Sequence, residues 1–486
     1  MGRQNSNPST SCPGTTTTRN QTKMSELIDY IALFAKSLDE KNVQAFQNCI
    51  TINPSLTVAN VRKQFPDPNQ IDLYYVKEEF RPVLIAHLKL MRAVYGEKSL
   101  DLAFDALEEL ISSLIRAGTH QTNWINAPLI QSFKDLIAVY NAKEAKNPEN
   151  LDEFVSSDEG DIGAMRMAKR SQLERLVLLF RDAFSLAFGD KEENKELSRQ
   201  KDIYFFLSNL VKYSIKLDKF NLADASIQAV KPKANILPSM DSSIENKKYG
   251  VTYLYYQGLR ALDNGKFAES EKHLDDAIAL MAGYLNTKSK QLEQILLILI
   301  PLKLYNKGVT PLKKVWLKFP TLQVLYRDNF FKAVKQGNIA KFDEAMEKFQ
   351  IVLLKKHLYQ LVELLRECVR LQLFRKTFKI CSELNKNGKP HIVPVNAFQL
   401  AVEYSTYHTR QTGDFNFSTD HLYNTSLSDV EYIFGQLVYR GKVRGYIHHS
   451  KGLIVFAKGD PFAPPSTEQQ HQAARTNSPA RQTSQA

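Results

Sequence analysis

Apolar residues recur at helical spacing from Met24 almost continuously to Tyr439, and only after that does the pattern turn to alternation. A helix shows every third or fourth residue to one face and a strand every second, so this patterning specifies helices and not a central β-sheet. One stripe reads Leu27, Ile28, Ile31, Phe34, Ala35 and Leu38. Ser99 is placed to cap a second helix, with Leu102, Ala103, Leu107, Leu110, Ile111, Leu114 and Ile115 on its apolar side and Ala117-Gly118 at its end. A third covers about Trp124 to Tyr140, and helix resumes from Leu173 to Phe188. Gly (20) and Pro (19) are few for 486 residues, which suits long helices with short connections. The chain should be more than half helix, with strands essentially confined to 440–460.

Between about 200 and 350 the helices come in pairs of similar pattern. The clearest is YYQGLRALDNGKFAESEKHLDDAIAL, residues 255–280. Gly258 and Ala261 permit close approach of a partner, Asn264-Gly265 makes the turn, and Phe267, Leu274 and Ala277 supply the second packing face. A weaker copy precedes it (Tyr213, Phe220, Ala223, Ile227, Val230) and another follows (Ala333, Gln336-Gly337-Asn338, Ile339, Phe342, Met346). Such pairs cannot bury their apolar faces alone and stack into a tetratricopeptide-like solenoid, the alternative being three unrelated helical hairpins. A helix over about Leu353–Leu384 and a shorter one near Asn396–Tyr404 follow. Ser428 and Glu431 are spaced as a capping box for a helix carrying Val430, Ile433, Phe434 and Leu437. Val443, Tyr446 and Ile447 then read as one strand, His449–Gly452 as a turn and Leu453–Phe456 as a second strand. Three helices and a two-stranded hairpin make a winged helix.

The fold class is therefore all-α, a helical solenoid running into a C-terminal winged-helix module. Its expected parts are a disordered tail at 1–23, N-terminal helical repeats at 24–250 with a mobile acidic loop at 141–168, and a second helical-repeat part at 251–390. A winged helix at 391–459 follows, with a surface insertion at 405–425 that has little to bury, and then a disordered tail at 460–486. The four cysteines form no CxxC pair, which argues against zinc or a disulfide framework and for a reducing compartment. No apolar run approaches the roughly 18 residues of a membrane span, so the chain is expected to be soluble.

No phosphate loop, HExxH or other catalytic constellation occurs. His448-His449 is an adjacent pair, but neighbouring strand residues face opposite ways and could hardly share a metal. No cofactor, metal or catalytic residue is expected. The 64 Lys and Arg exceed the 52 Asp and Glu, a net charge of +12. Arg440, Lys442, Arg444, Lys451 and Lys458 stand around the wing with no acid between Gln436 and Lys458, and are the candidate nucleic-acid contacts. Further clusters are Lys355, Lys356, Arg366, Arg370, Arg375, Lys376 and Lys379, and five lysines between Lys303 and Lys318. Each of these can equally be a solvated face or a protein contact.

These features resemble the PCI-domain family, whose members are subunits of the proteasome lid, the COP signalosome and translation initiation factor three. The similarity is to the subfamily joining the signalosome subunit-twelve-like proteins to the mRNA-export PCI protein. It is carried by 123–136, 198–230, 255–278, 296–311, 333–346 and above all DVEYIFGQLVYRGKVRGYIHHSKGLIVFAKGDPF at 429–462. The resemblance implies a non-catalytic adaptor in a nuclear complex, with possible cytoplasmic residence, that couples transcription to mRNA export. It also implies pairing with a GANP-type PCI scaffold and a short acidic peptide of the Sem/DSS type, and non-specific binding of RNA or double-stranded DNA through the winged helix. No membrane or small-molecule substrate is expected. The alternative is a structural subunit of a signalosome- or lid-like assembly with no nucleic-acid role. The N-terminal tail, the acidic loop and the 405–425 insertion depart from the family's pattern.

Overall fold

The computed structural model describes residues 15–57, 65–146, 161–233, 235–284, 289–385, 388–408 and 424–462. The chain divides into two units, Met1–Asn264 with Ala279–Met281, and Gly265–Ile278 with Ala282–Ala486. Among the described residues almost all regular structure is helical, as the periodicity requires. No helix there is long and apolar enough to cross a membrane.

The first unit contains α1 (Thr15–Asp39), α2 (Val43–Ile50), α3 (Arg81–Met91), α4 (Leu100–Ala117), α5 (Asn126–Lys146), α6 (Asp161–Phe188), α7 (Ile203–Lys216), α8 (Phe220–Val230) and α9 (Ile244–Asp263). Helix α4 begins where its cap was read, with the Ser99 hydroxyl accepting from the Leu102 amide at 3.4 Å. Helix α7 packs against α6, α8 and α9 and is buried from Ile203 through Val211, so its Tyr204-Phe205-Phe206 run and Tyr213 are core. Phe133 stacks on Phe180 at 4.3 Å, and each such buried ring contributes about 1.5–3 kcal/mol by leaving water. A polar joint precedes α7. Arg199 pairs with Asp190 at 3.0 Å and donates to the Gly118 carbonyl at 2.6 Å, satisfying the end of α4.

Two expectations change in this unit. Helix α1 starts at Thr15, inside the segment read as a tail, and residues 1–14 lie outside the described residues. Helices α5 and α6 reach into 141–168 from both sides, leaving 147–160 outside the described residues. Polar composition obscured this, because Ala, Lys, Glu, Met and Arg favour helix whether or not they are buried.

The second unit contains α10 (Phe267–Leu280) apart from its last turn, α11 (Lys290–Lys307), α12 (Lys313–Lys318), the short α13 (Pro320–Leu322), α14 (Lys332–Gln336), α15 (Ile339–Lys355) and α16 (Tyr359–Leu384). A π-helical stretch, Gln323–Phe331, joins α13 to α14. The single helix expected over 353–384 is interrupted at His357, whose φ is 54°. Gly337, with φ 67°, ends α14; a Cβ there would stand 2.9 Å from the Leu373 amide nitrogen, so both backbone geometry and space call for glycine.

The winged helix is β1 (Ile392–Pro394), α17 (Val395–Glu403), α18 (Leu427–Tyr439), β2 (Gly445–His448) and β3 (Leu453–Phe456). The sheet has three strands in the order β1-β3-β2, antiparallel throughout, so strand is not confined to 440–460. Helix α18 is capped two residues earlier than the spacing of Ser428 and Glu431 suggests: Ser426 and Asp429 form the capping box. An aromatic cluster fills the module. Phe374 of α16 stacks on Phe398 at 4.7 Å, and Phe378 meets Phe456 at 4.5 Å and Phe462 at 5.7 Å. Folded structure therefore continues past Asp460 to Phe462, while 463–486 lie outside the described residues.

The ends of the 405–425 insertion are also structural. The Ser405 hydroxyl accepts from the Ile339 amide at 2.8 Å and donates to the Gly337 carbonyl at 2.9 Å. Glu403, fully buried, accepts from the amides of Asn424 and Thr425 at 3.2 and 3.0 Å. Residues 409–423 lie outside the described residues.

Phe374→Ala should lower stability by about 3–5 kcal/mol, read as a fall in the urea midpoint of the full chain; a loss under about 1 kcal/mol would contradict this packing. Glu403 supplies a pH test. Burial raises its pKa, but the hydrogen bonds from Asn424 and Thr425 outweigh burial and hold it below the usual range. The carboxylate's contribution is thus present above the unfolded value near ~4.3 and is lost as pH falls through the lower folded value. Glu403→Gln should destabilise by roughly 1–3 kcal/mol at neutral pH, with the difference in melting temperature from the parent shrinking in acid. A difference that is constant with pH would refute the latch.

Candidate nucleic-acid interface

The wing is built on a close approach of β2 to β3. Gly445 opposes Phe456, and a Cβ on it would lie 2.6 Å from the Val455 carbonyl oxygen, which excludes any side chain. The Arg444 amide donates to the Pro461 carbonyl at 2.8 Å, so the DPF segment closes the strand's outer end. At the tip, His449–Lys451 form one tight helical turn and Gly452, with φ 59°, reverses the chain. His449 Nδ1 lies 2.9 Å from a Glu431 carboxylate oxygen. This carboxylate, taken from the sequence as a cap, instead ties the wing tip to the start of α18. Among the described residues no group of three or more His, Cys, Asp or Glu is placed to hold a metal.

The five candidate cations differ in what they meet, although Arg440 is itself exposed. Arg440 donates to Glu367 Oε1 at 2.7 Å and to the Tyr305 hydroxyl at 2.6 Å. Lys442 donates to the Tyr305 carbonyl at 3.1 Å, with its ammonium 5.5 Å from that ring's centre. Both turn back onto α11 and α16. Burial dominates and leaves the Glu367 pKa above its ordinary value, and Arg440, Lys442 and Arg370 nearby offset only part of that rise. Arg444, Lys451 and Lys458 are exposed on the wing and its flank, beside Tyr446, which is 62% exposed.

The other basic clusters divide in the same way. Lys303 and Lys307 pair with Asp275 and Glu271 at 2.7 and 2.6 Å. Arg366 pairs with Asp343 at 2.8 Å, and Lys376 donates to the Gln336 carbonyl at 2.9 Å. Lys313 and Arg375, by contrast, stand exposed. A linear charge count carries no information about which cations meet an acid across helices, and that is what separates these groups.

A helical unit ending in a three-stranded winged helix defines a protein of the PCI class, and comparison with known proteins agrees. The chain is 41% identical over 445 residues to a Protein CSN12 homolog of Debaryomyces hansenii, covering 91% of this chain and 99% of that protein. It is 26% identical over 394 residues to a Protein CSN12 homolog of Schizosaccharomyces pombe, covering 80% and 84%. It is 23% identical over 416 residues to PCI domain-containing protein 2 of Xenopus laevis, covering 84% and 91%. No family model matches the chain. The chain belongs to the PCI-domain family, in the subfamily of CSN12-like proteins and PCI domain-containing protein 2.

The division of the wing cations can be checked by stability. Arg440→Glu sets a second carboxylate against Glu367 and removes two hydrogen bonds, so it should cost roughly 2 kcal/mol, the pair being partly exposed. Lys451→Glu should change stability by no more than about 0.5 kcal/mol. Thermal melts of the two variants that coincide would show that the Arg440 contacts hold nothing.

Proposed function

We propose that this chain is a non-catalytic adaptor subunit of a nuclear complex that couples transcription to mRNA export. In this reading it pairs with a GANP-type PCI scaffold and a short acidic peptide of the Sem/DSS type, and its winged helix contacts nucleic acid. The observation that carries the nucleic-acid part is the exposure of Arg444, Lys451 and Lys458 on a pinned wing and its flank. Exposed Lys and Arg there can reach phosphate oxygens, giving binding that is steep in salt and indifferent to sequence. The family supports the role as a complex subunit. A second reading, a structural subunit of a signalosome- or lid-like assembly, draws on the internal pairing of Arg440 and Lys442, which removes two cations from the candidate surface.

Salt-dependent binding of a labelled oligonucleotide to the purified chain tests the first reading. The variant Arg444→Glu, Lys451→Glu, Lys458→Glu leaves the Glu367 contacts intact and should weaken binding at low salt on the order of tenfold, with a salt slope reduced by about 2. Parent-like binding by the folded triple variant would remove the wing as a site. Failure of the parent to bind any oligonucleotide at low salt would favour the second reading.

A further inference from the structure

A groove of about 900 Å³ opens in the helical part of the second unit, lined by Lys313, Arg327, Lys332, Lys335 and Arg375. They come from α12, the π-helical stretch, α14 and α16. All five side chains are exposed, and none has an ion-pair or hydrogen-bond partner among the described residues. One carboxylate, Asp328, shares the lining and accepts from Gln323 Nε2 at 3.4 Å, so five positive charges face one negative. Nearby cations of the same unit are matched: Lys303, Lys307, Arg366 and Arg440 each meet an acid within 2.6–2.8 Å. Five unmatched cations in one concavity repel one another, and their field draws in a polyanion that offsets the repulsion.

We infer that this groove holds the phosphodiester backbone of a single-stranded nucleic acid, and that the strand runs on from it to the wing. The inference rests on the nucleic-acid reading above and adds to it a site that the wing does not contain. Three features specify the ligand. The floor includes Trp316 and Phe331, packed edge to face at 5.8 Å and buried, so no aromatic face is open for base stacking and the groove reads charge rather than sequence. The site is concave; a single strand can follow it, whereas a duplex is a stiff rod over ~150 base pairs. The groove and the wing's root share two elements: Leu304 and Gly308 at the end of α11 line the groove while Tyr305 beside them holds Arg440 and Lys442, and α16 carries both Glu367 at the root and Arg375 in the groove. The π-helical Gln323–Phe331 stretch, which presents Arg327, fits this role, since such stretches recur at functional sites.

The test uses the full chain, a labelled oligouridylate, a duplex of equal length and a poly-glutamate peptide, read by anisotropy across a salt series. Lys332→Glu, Lys335→Glu and Arg375→Glu together should weaken oligouridylate binding on the order of tenfold at low salt and reduce the salt slope by about 2, with the duplex binding more weakly and losing less. The triple Gln variant, which adds no negative charge, should lose affinity in the same direction and covers the case in which the Glu variant does not fold. Parent-like oligouridylate binding by either folded variant, with the wing variant defective, overturns the groove and leaves the function above standing. Groove-dependent binding of poly-glutamate with no binding of oligouridylate overturns the assignment to nucleic acid in favour of an acidic peptide. If groove variants lose affinity and wing variants do not, the groove stands and the wing falls.

Discussion

The second unit depends on one helix being buried on two sides. α16 offers Leu361, Val362, Leu365 and Val369 to the helices before it, and Phe374 and Phe378 to the winged helix after it. A surface helix has one apolar stripe; one packed on both sides must be apolar over most of its circumference. Its polar residues then become junctions: Glu367 receives Arg440, Arg366 meets Asp343, and the backbone at Leu373 passes so close to Gly337 that no side chain fits between. The winged helix is not tethered to the repeat by a linker. It shares a core element with it, so loss of Phe374 would loosen the wing along with the helices.

That shared helix explains why the cations of the C-terminal region fall into two sets. Those facing α16 and α11 are drawn to Glu367 and Tyr305, where partial burial makes an unpaired carboxylate costly. Lys332, Lys335, Arg375 and Lys451 face away and have no ion-pair partner among the described residues. The groove at Lys332 and Arg375 and the wing at Lys451 both belong to the second set. A surface that pairs some cations and leaves others bare concentrates its positive potential, which a uniformly basic surface of the same net charge does not.

Much of this was legible in the sequence. The helices, the Ser99 cap, the aromatic core of α7 and the hairpin at Tyr446–Phe456 follow from period, capping and alternation. What escaped was decided by contacts distant in sequence. SLSDVE contains two equally spaced capping pairs, and only the fold shows that Glu431 is engaged by His449, leaving Ser426 and Asp429 to cap. Strand β1 is three residues long and acquires its identity from pairing with β3. Phe462 sits among prolines and reads as tail until Phe378 and Phe456 receive it. The direction of Arg440 and Lys442 depends on Tyr305 and Glu367, some 135 and 73 positions away (440 − 305 and 440 − 367).

The wing's rigidity bears on the kind of recognition it can perform. Its outer end is fixed by Arg444 to Pro461, its base by the Gly445–Val455 approach, and its tip by His449 to Glu431. A loop without these ties would lose conformational entropy on every phosphate contact, and a tied one has already lost it in folding. The same ties prevent the hairpin from adjusting to the edges of particular bases. On the nucleic-acid reading proposed above, a pinned wing carrying Lys and Arg would follow a backbone of any sequence rather than read bases.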